Sequence, residues 1–288
     1  MPDPTGGELS LRGQSSGFPI PTIVHSRFRF FSSVKKIAAH RCGDIMHTQV
    51  EKVLIVGGSS GMGLALAQML LAEGAEVTIV GRSEARLAGA REHLGKAERL
   101  RTAVADIGQE DQVEKLFEHS GPLDHIVTTA ADIEDAYRLL PSLQLDAVRR
   151  VIDSKFIGPL LLAKCGAPVL AARGSITFTS GIAAYRPGPR GSVVASINGA
   201  LESLAYALAV ELGPVRVNVV SPGWVDSPVW RFIADDEGKA AAHEAMAKRL
   251  PVGRIGRPVD VADAIRFLMR NSFVTGTVLH VDGGHRLA

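Results

Sequence analysis

Val53-Leu54-Ile55-Val56-Gly57-Gly58-Ser59-Ser60-Gly61-Met62-Gly63 decides how the rest of the chain is read. Four apolar residues without polar alternation fit a strand buried on both faces. Glycines at 57, 61 and 63 follow at once, and Leu64 to Glu73 then keeps helical spacing until it meets Gly74, a suitable stop. Glycine lets the backbone turn sharply and approach a bulky group closely. A helix that starts there aims unpaired N–H groups and a positive dipole end at the turn, which suits a phosphate. Glycine-rich turns are common, and it is the strand before and the helix after that make this one specific.

Working outward, the same beat continues. Val77 to Val80 reads as a second strand, and Ser83 is placed to cap a helix running to Gly95. Strands follow at Leu100–Ala105, Leu123–Thr128, Ser175–Thr179, Val215–Val220 and Thr277–Val281. Helices fill Glu110–His119, Val193–Leu212, Glu237–Arg249 and Val259–Arg270. A long helix is expected over Asp146–Leu170, bent at Gly158-Pro159 and at Gly166 to Pro168. Strands alternating with helices through short loops imply an α/β protein: one doubly wound Rossmann domain, a seven-stranded parallel sheet with helices on both faces.

Composition narrows the function. Basic and acidic residues number 32 and 30 and are well mixed, so the one-sided positive field of a nucleic-acid binder is absent. Cys42 and Cys165 form neither CxxC nor metal-ligand spacing, which points to a reducing, cytoplasmic setting. The histidines are scattered, and no metal site is expected. The longest apolar candidate, Gly158 to Ala172, is broken by Lys164 and Pro168 and falls short of the roughly 18 to 20 residues of a membrane span. Residues 1–48 are rich in Ser, Pro, Gly and Arg and lack any period. They read as an unstructured or weakly ordered extension, with Met46 a natural start, ahead of a domain over 49–288.

Gly57-x-x-x-Gly61-x-Gly63 resembles the glycine motif of short-chain dehydrogenases/reductases, although Val56 stands where that family has Thr. Asp106-Ile107 resembles the family's adenine-contacting pair, and Pro222-Gly223-Trp224-Val225-Asp226-Ser227 its nicotinamide loop. Gly253 to Pro258 and Val281 to Gly284 resemble the C-terminal region. The resemblance covers residues 50 to 288. It implies cofactor contacts from Gly57, Ser59, Ser60, Gly61, Met62, Gly63, Arg82, Ser83, Asp106, Ile107, Ala130, Ala131, Pro222, Gly223, Val225 and Ser227. At the end of the second strand, an acidic residue would bind the ribose 2′-hydroxyl of NAD. Here the sequence is Gly81-Arg82-Ser83, and a guanidinium suits the 2′-phosphate of NADP(H).

The catalytic pattern departs from the family. Its Tyr-x-x-x-Lys pair, in which a nearby cation makes a phenol acidic, aligns with Val194 and Asn198. Thr128-Thr129-Ala130-Ala131 stands for Asn-Asn-Ala-Gly, and Gly181 falls at the catalytic Ser with Ser180 one residue early. Lys155 lies where the family has an active-site Asn, so Lys155 and Asn198 resemble a transposed Asn/Lys pair. This predicts the Lys155 ammonium within hydrogen-bond or single-water reach of the Asn198 side chain or the ribose site. Tyr185 is the nearest substitute acid. Ser180, Lys155, Tyr185 and Asn198 are therefore the catalytic candidates. The apolar segment with Trp224, Val229, Trp230 and Phe232 suits either a hydrophobic substrate or a lid packed on itself. The resulting reading is an NADP(H)-dependent oxidoreductase acting on a carbonyl or alcohol, as a homodimer or homotetramer. The alternative is a non-catalytic NADP(H)-binding sensor or scaffold.

Overall fold

A computed structural model describes residues 50–232 and 235–288. The expected extension over 1–48 lies outside the described residues. The strands are β1 (Lys52–Val56), β2 (Glu76–Gly81), β3 (Leu100–Val104), β4 (Leu123–Thr128), β5 (Leu170–Thr179), β6 (Arg216–Pro222) and β7 (Val278–Val281). They form one seven-stranded parallel sheet in the order β3-β2-β1-β4-β5-β6-β7. The chain winds outward from β1 to one edge and then, from β4, to the other. The gap between the carboxyl ends of β1 and β4 is thus the switch point at which open α/β sheets bind ligands.

The helices are α1 (Gly61–Ala72), α2 (Glu84–His93), α3 (Glu110–Glu118), α4 (Leu145–Ile152), α5 (Gly158–Gly166), α6 (Ser192–Glu211), α7 (Asp236–Arg249) and α8 (Pro258–Arg270). Alternate residues of β1 serve the two faces. Leu54 and Val56 join α3, α5 and α6 in one core, whereas Val53 and Ile55 join α1, α2 and α8 in the other.

Two expectations need correction. The single long helix is divided: a π turn at Asp153–Ile157 separates α4 from α5, and a short 3-10 turn at Ala167–Val169 precedes β5, which begins at Leu170 rather than Ser175. Gly158 N–H reaches back five residues to Asp153 O, and Pro159 has no N–H with which to continue the ladder. Gly158 is also pressed onto β3's exit, where a Cβ would lie 2.5 Å from Ile107 Cδ1. Second, an apolar segment of membrane-spanning length does exist: α6 has 20 residues and a mean hydropathy of 1.5. Its inner face, with Val194, Asn198, Leu201, Glu202, Ala205 and Leu208, is buried, and Leu201, Ala205 and Leu208 join the core on one face of the sheet.

An ion network closes the amino edge of the sheet. Glu51 accepts from His125 (3.0 Å) and Arg270 (2.9 Å), and Arg270 also meets Glu73 at 2.6 Å. His125 in turn contacts Ser175 Oγ at 2.8 Å. Glu51, β4, β5 and the C-terminal ends of α1 and α8 are tied together here.

Candidate cofactor cleft and active site

The glycine turn sits at the switch point and leaves no room for side chains. Gly57 has φ +83°, and its N–H donates to Val80 O at 2.8 Å. A Cβ on Gly57 would lie 2.7 Å from Ala130 N, and one on Gly63 would lie 2.5 Å from Gly57 O. Thr129 clamps the exit of β4 onto the turn, its N–H donating to Val56 O at 2.8 Å. Ser60 precedes α1 in extended backbone with a side chain that does not cap it, and no acidic residue lies in the first turn. The first N–H groups of α1 are therefore open to an outside anion. Gly61 has φ +54°, and its missing side chain admits Pro228 and Ser227 from the loop after β6.

Two guanidiniums converge beside this turn. Arg82 leaves β2 exposed, and Arg86 Nη2 reaches Ser60 Oγ at 3.5 Å. Ser83 caps α2, accepting the Arg86 N–H at 3.3 Å. Arg82 Nη1 forms an ion pair with Asp132 Oδ2 at 2.7 Å. Neither Arg86 nor Asp132 was selected from the sequence. Asp106 closes its own turn, its Oδ1 accepting from Gly108 N–H at 3.0 Å, while the Ile107 side chain is buried in the core. Ala130 is half-buried and Ala131 exposed.

At the β6 exit, Pro222 is buried and Gly223 N–H donates to Val281 O at 3.0 Å. A Cβ on Gly223 would lie 2.6 Å from Asp282 Cα, so β6 and β7 leave the sheet in contact. Val225 is buried and accepts the indole N–H of Trp230 at 2.9 Å. Trp230 packs on Trp224 (ring centroids 4.7 Å apart) and edge-on to His243 (4.6 Å). Of the two readings of this segment, the lid packed on itself matches the contacts of Trp224 and Trp230. A cavity of about 340 Å³ opens beside it, lined by Trp224, Leu250, Arg254, His280 and Asp282 among others.

The four catalytic candidates meet at the exit of β5. Lys155 is turned inward and is only 6% exposed. Its ammonium donates to Thr179 O and Ser180 O, both at 3.3 Å, and Asn198 Nδ2 donates to Gly181 O at 3.4 Å. Three consecutive carbonyls are thus held by the transposed pair. Lys155 and Asn198 share no direct hydrogen bond, and the buried Asn198 Oδ1 has no partner. Gly181 explains the spacing, because a Cβ there would lie 3.0 Å from Asn198 Nδ2.

Glu202, absent from the sequence candidates, organises the other two. Ser180 Oγ donates to Glu202 Oε1 at 2.7 Å and Tyr185 Oη to Oε2 at 2.5 Å. The Tyr185 ring meets His280 edge-on at 4.6 Å. Desolvation and the Glu202 hydrogen bond push the Tyr185 phenol well above its usual range. That is the reverse of the shift by which a nearby cation makes the family's phenol acidic. Burial draws the Lys155 ammonium down to about 8, the Glu202 carboxylate opposing the shift. Glu202 lies one helical turn after Asn198, and that i,i+4 spacing was the available signal.

The cradle fits a dinucleotide by its own geometry: glycines no side chain can replace, open N–H groups, basic side chains to one side and an orphaned amide oxygen farther along. The residues that would hold it are Gly57 to Gly63, Arg82, Arg86, Asn198 and the loop from Pro222 to Ser227. Among the described residues no cluster of His, Cys, Asp or Glu suits a metal ion.

Comparison with known proteins agrees. A family model described as enoyl-(acyl carrier protein) reductase matches residues 56–286. The short-chain dehydrogenase/reductase malC of Malbranchea aurantiaca is 36% identical, over 81% of this chain and 94% of the relative. The structure of that organism's MalC reductase/Diels-Alderase superposes with a TM-score of 0.77 at 35% identity, covering 83% of this chain and 98% of that one. A small-chain dehydrogenase in complex with NADPH gives a TM-score of 0.70 at 32% identity, covering 83% of this chain and all of the other.

Proposed function

The chain belongs to the short-chain dehydrogenase/reductase family of oxidoreductases, and we propose that it is an NADP(H)-dependent member that interconverts a carbonyl and an alcohol without the family's Tyr and Lys. The observation that carries this reading is the pair of guanidiniums, Arg82 and Arg86, beside the glycine turn, where NAD-binding folds carry an acid. The NADPH complex of a structural neighbour supports it. When bound, the nicotinamide supplies or accepts the hydride. The chain's own residues hold the phosphates at α1, pin the β5 exit through Lys155 and Asn198, and fix the Ser180 and Tyr185 hydroxyls on Glu202. The reading extends to a small-molecule substrate, a cytoplasmic setting and a homodimer or homotetramer.

The test is NADPH and NADH affinity by titration calorimetry, with NADPH oxidation followed over a broad carbonyl panel. NADPH binds more tightly than NADH, Arg82→Ala weakens NADPH by roughly 1.5 to 3 kcal/mol as for a charge-assisted contact, and at least one carbonyl is turned over. Equal native affinities overturn the cofactor assignment. Tight NADPH binding without turnover replaces the oxidoreductase by the sensor.

A further inference from the structure

Arg82 and Asp132 are placed on opposite sides of β1. Arg82 follows the last residue of β2, whose Gly81 carbonyl is held by Ala105 N–H at 3.1 Å. Asp132 follows β4, behind the Thr129 clamp, and its own N–H is held on Ser154 Oγ at 3.0 Å. Both strands pair with β1, so their exits lie about two strand spacings apart, roughly 10 Å. The ion pair bridges that distance at 2.7 Å, directly over the exit of β1. A dinucleotide bound at the switch point lays its pyrophosphate at the β1 exit and its adenosine ribose at the end of β2, beside Arg82. The two partners differ in burial: the Asp132 side chain is 11% exposed and that of Arg82 57%. The acid is the fixed post and the arginine the moving arm.

We infer that the Arg82–Asp132 ion pair is a latch across the adenosine end of the cleft, which the 2′-phosphate opens by taking Arg82 from Asp132. The inference rests on the NADP(H) reading and deepens it by making Asp132 a residue that sets the strength of cofactor selection. The guanidinium exchanges one anionic partner for another when NADPH enters. NADH offers no such partner and gains nothing from a freed arginine. The apparent Kd is the intrinsic one divided by the fraction of molecules in which the arm is available, so the acid lowers NADPH affinity and leaves NADH affinity alone. A half-exposed pair of this kind is a weak restraint, which suits a latch opened at every binding event.

The experiment compares native protein, Asp132→Asn, Asp132→Ala, Arg82→Ala and the Arg82→Ala/Asp132→Asn double variant. Kd for NADPH and NADH is measured by titration calorimetry, and melting temperature serves as a check on folding. Both Asp132 variants tighten NADPH by about three- to fivefold, as expected for release of a partly exposed ion pair. NADH changes by less than about twofold. The gain disappears when Arg82 is already alanine. Weaker NADPH binding in Asp132→Asn overturns the latch, because the acid then orients Arg82 for the phosphate. A gain that persists without Arg82, or one shared equally by NADH, overturns it as well. A native protein without NADPH preference removes the cofactor reading and the latch with it, whereas an intact preference with unchanged Asp132 variants removes the latch alone.

Discussion

Lys155 and Glu202 are both about 6% exposed, and the Glu202 carboxylate is the charge that opposes the effect of burial on the Lys155 ammonium. A buried ion pair adds little by itself, but removing one member leaves an uncompensated charge. Lys155→Met leaves the Thr179 and Ser180 carbonyls without their donor and is expected to cost about 1 to 3 kcal/mol in urea unfolding at neutral pH. Lys155→Met/Glu202→Gln should recover a good part of that, and a double variant that loses the full sum of the two singles would disprove the pairing. With a folded pKa near 8 and an ordinary value of 10.5, the folded chain sheds this proton first, so the native protein gains stability as pH rises between them. Little of this was legible beforehand. Alignment located Lys155, but lysine is rarely buried, and a helix residue with a charge reads as solvated. Tyr185 was legible as a nearby phenol and not as a donor to Glu202, because that contact joins a loop to a helix 17 residues on.

At the level of elements, period and punctuation were enough to find the strands and most helices, since β1, β2, β4 and β6 are largely buried runs bounded by turns. The π turn escaped because local spacing does not report which carbonyl an N–H will choose when a proline follows. α6 shows what an element can say about assembly. Its outer face presents Ser196, Gly199, Ser203, Tyr206, Ala207 and Val210, and Val210 is 86% exposed. Nothing lies within 4 Å of a Cβ placed on Gly199, so a second helix can approach closely. If the proposed homodimer or homotetramer forms through this face, Ala207→Arg yields a smaller species by light scattering while NADPH affinity stays within about twofold. A native protein that is monomeric at micromolar concentration removes the idea.

Across the whole molecule, the glycine turn and the alternation after it carried the architecture, because a parallel sheet admits few windings. The amino-edge network stayed hidden, since it joins Glu51 to Arg270 across the length of the chain. Hydrogen bonds from His125 and Arg270 outweigh the effect of burial and draw the Glu51 carboxyl down to about 2 from 4.5. A carboxyl lowered on folding stabilises the protein above its unfolded pKa, and the contribution is lost as pH falls from about 4.5 through 2. Glu51→Gln should therefore cost roughly 1 to 2 kcal/mol at pH 7, after discounting for partial exposure. Its unfolding free energy should also fall less steeply than the native one over that acid range. Parallel acid limbs for the two proteins would rule this out. The network and the cofactor cleft occupy opposite ends of the same strands. A variant library sorted for survival after heating therefore enriches changes at one end, and a library sorted for turnover enriches changes at the other. Gains from the two sorts can be combined with little interference, and neither sort is a substitute for the other.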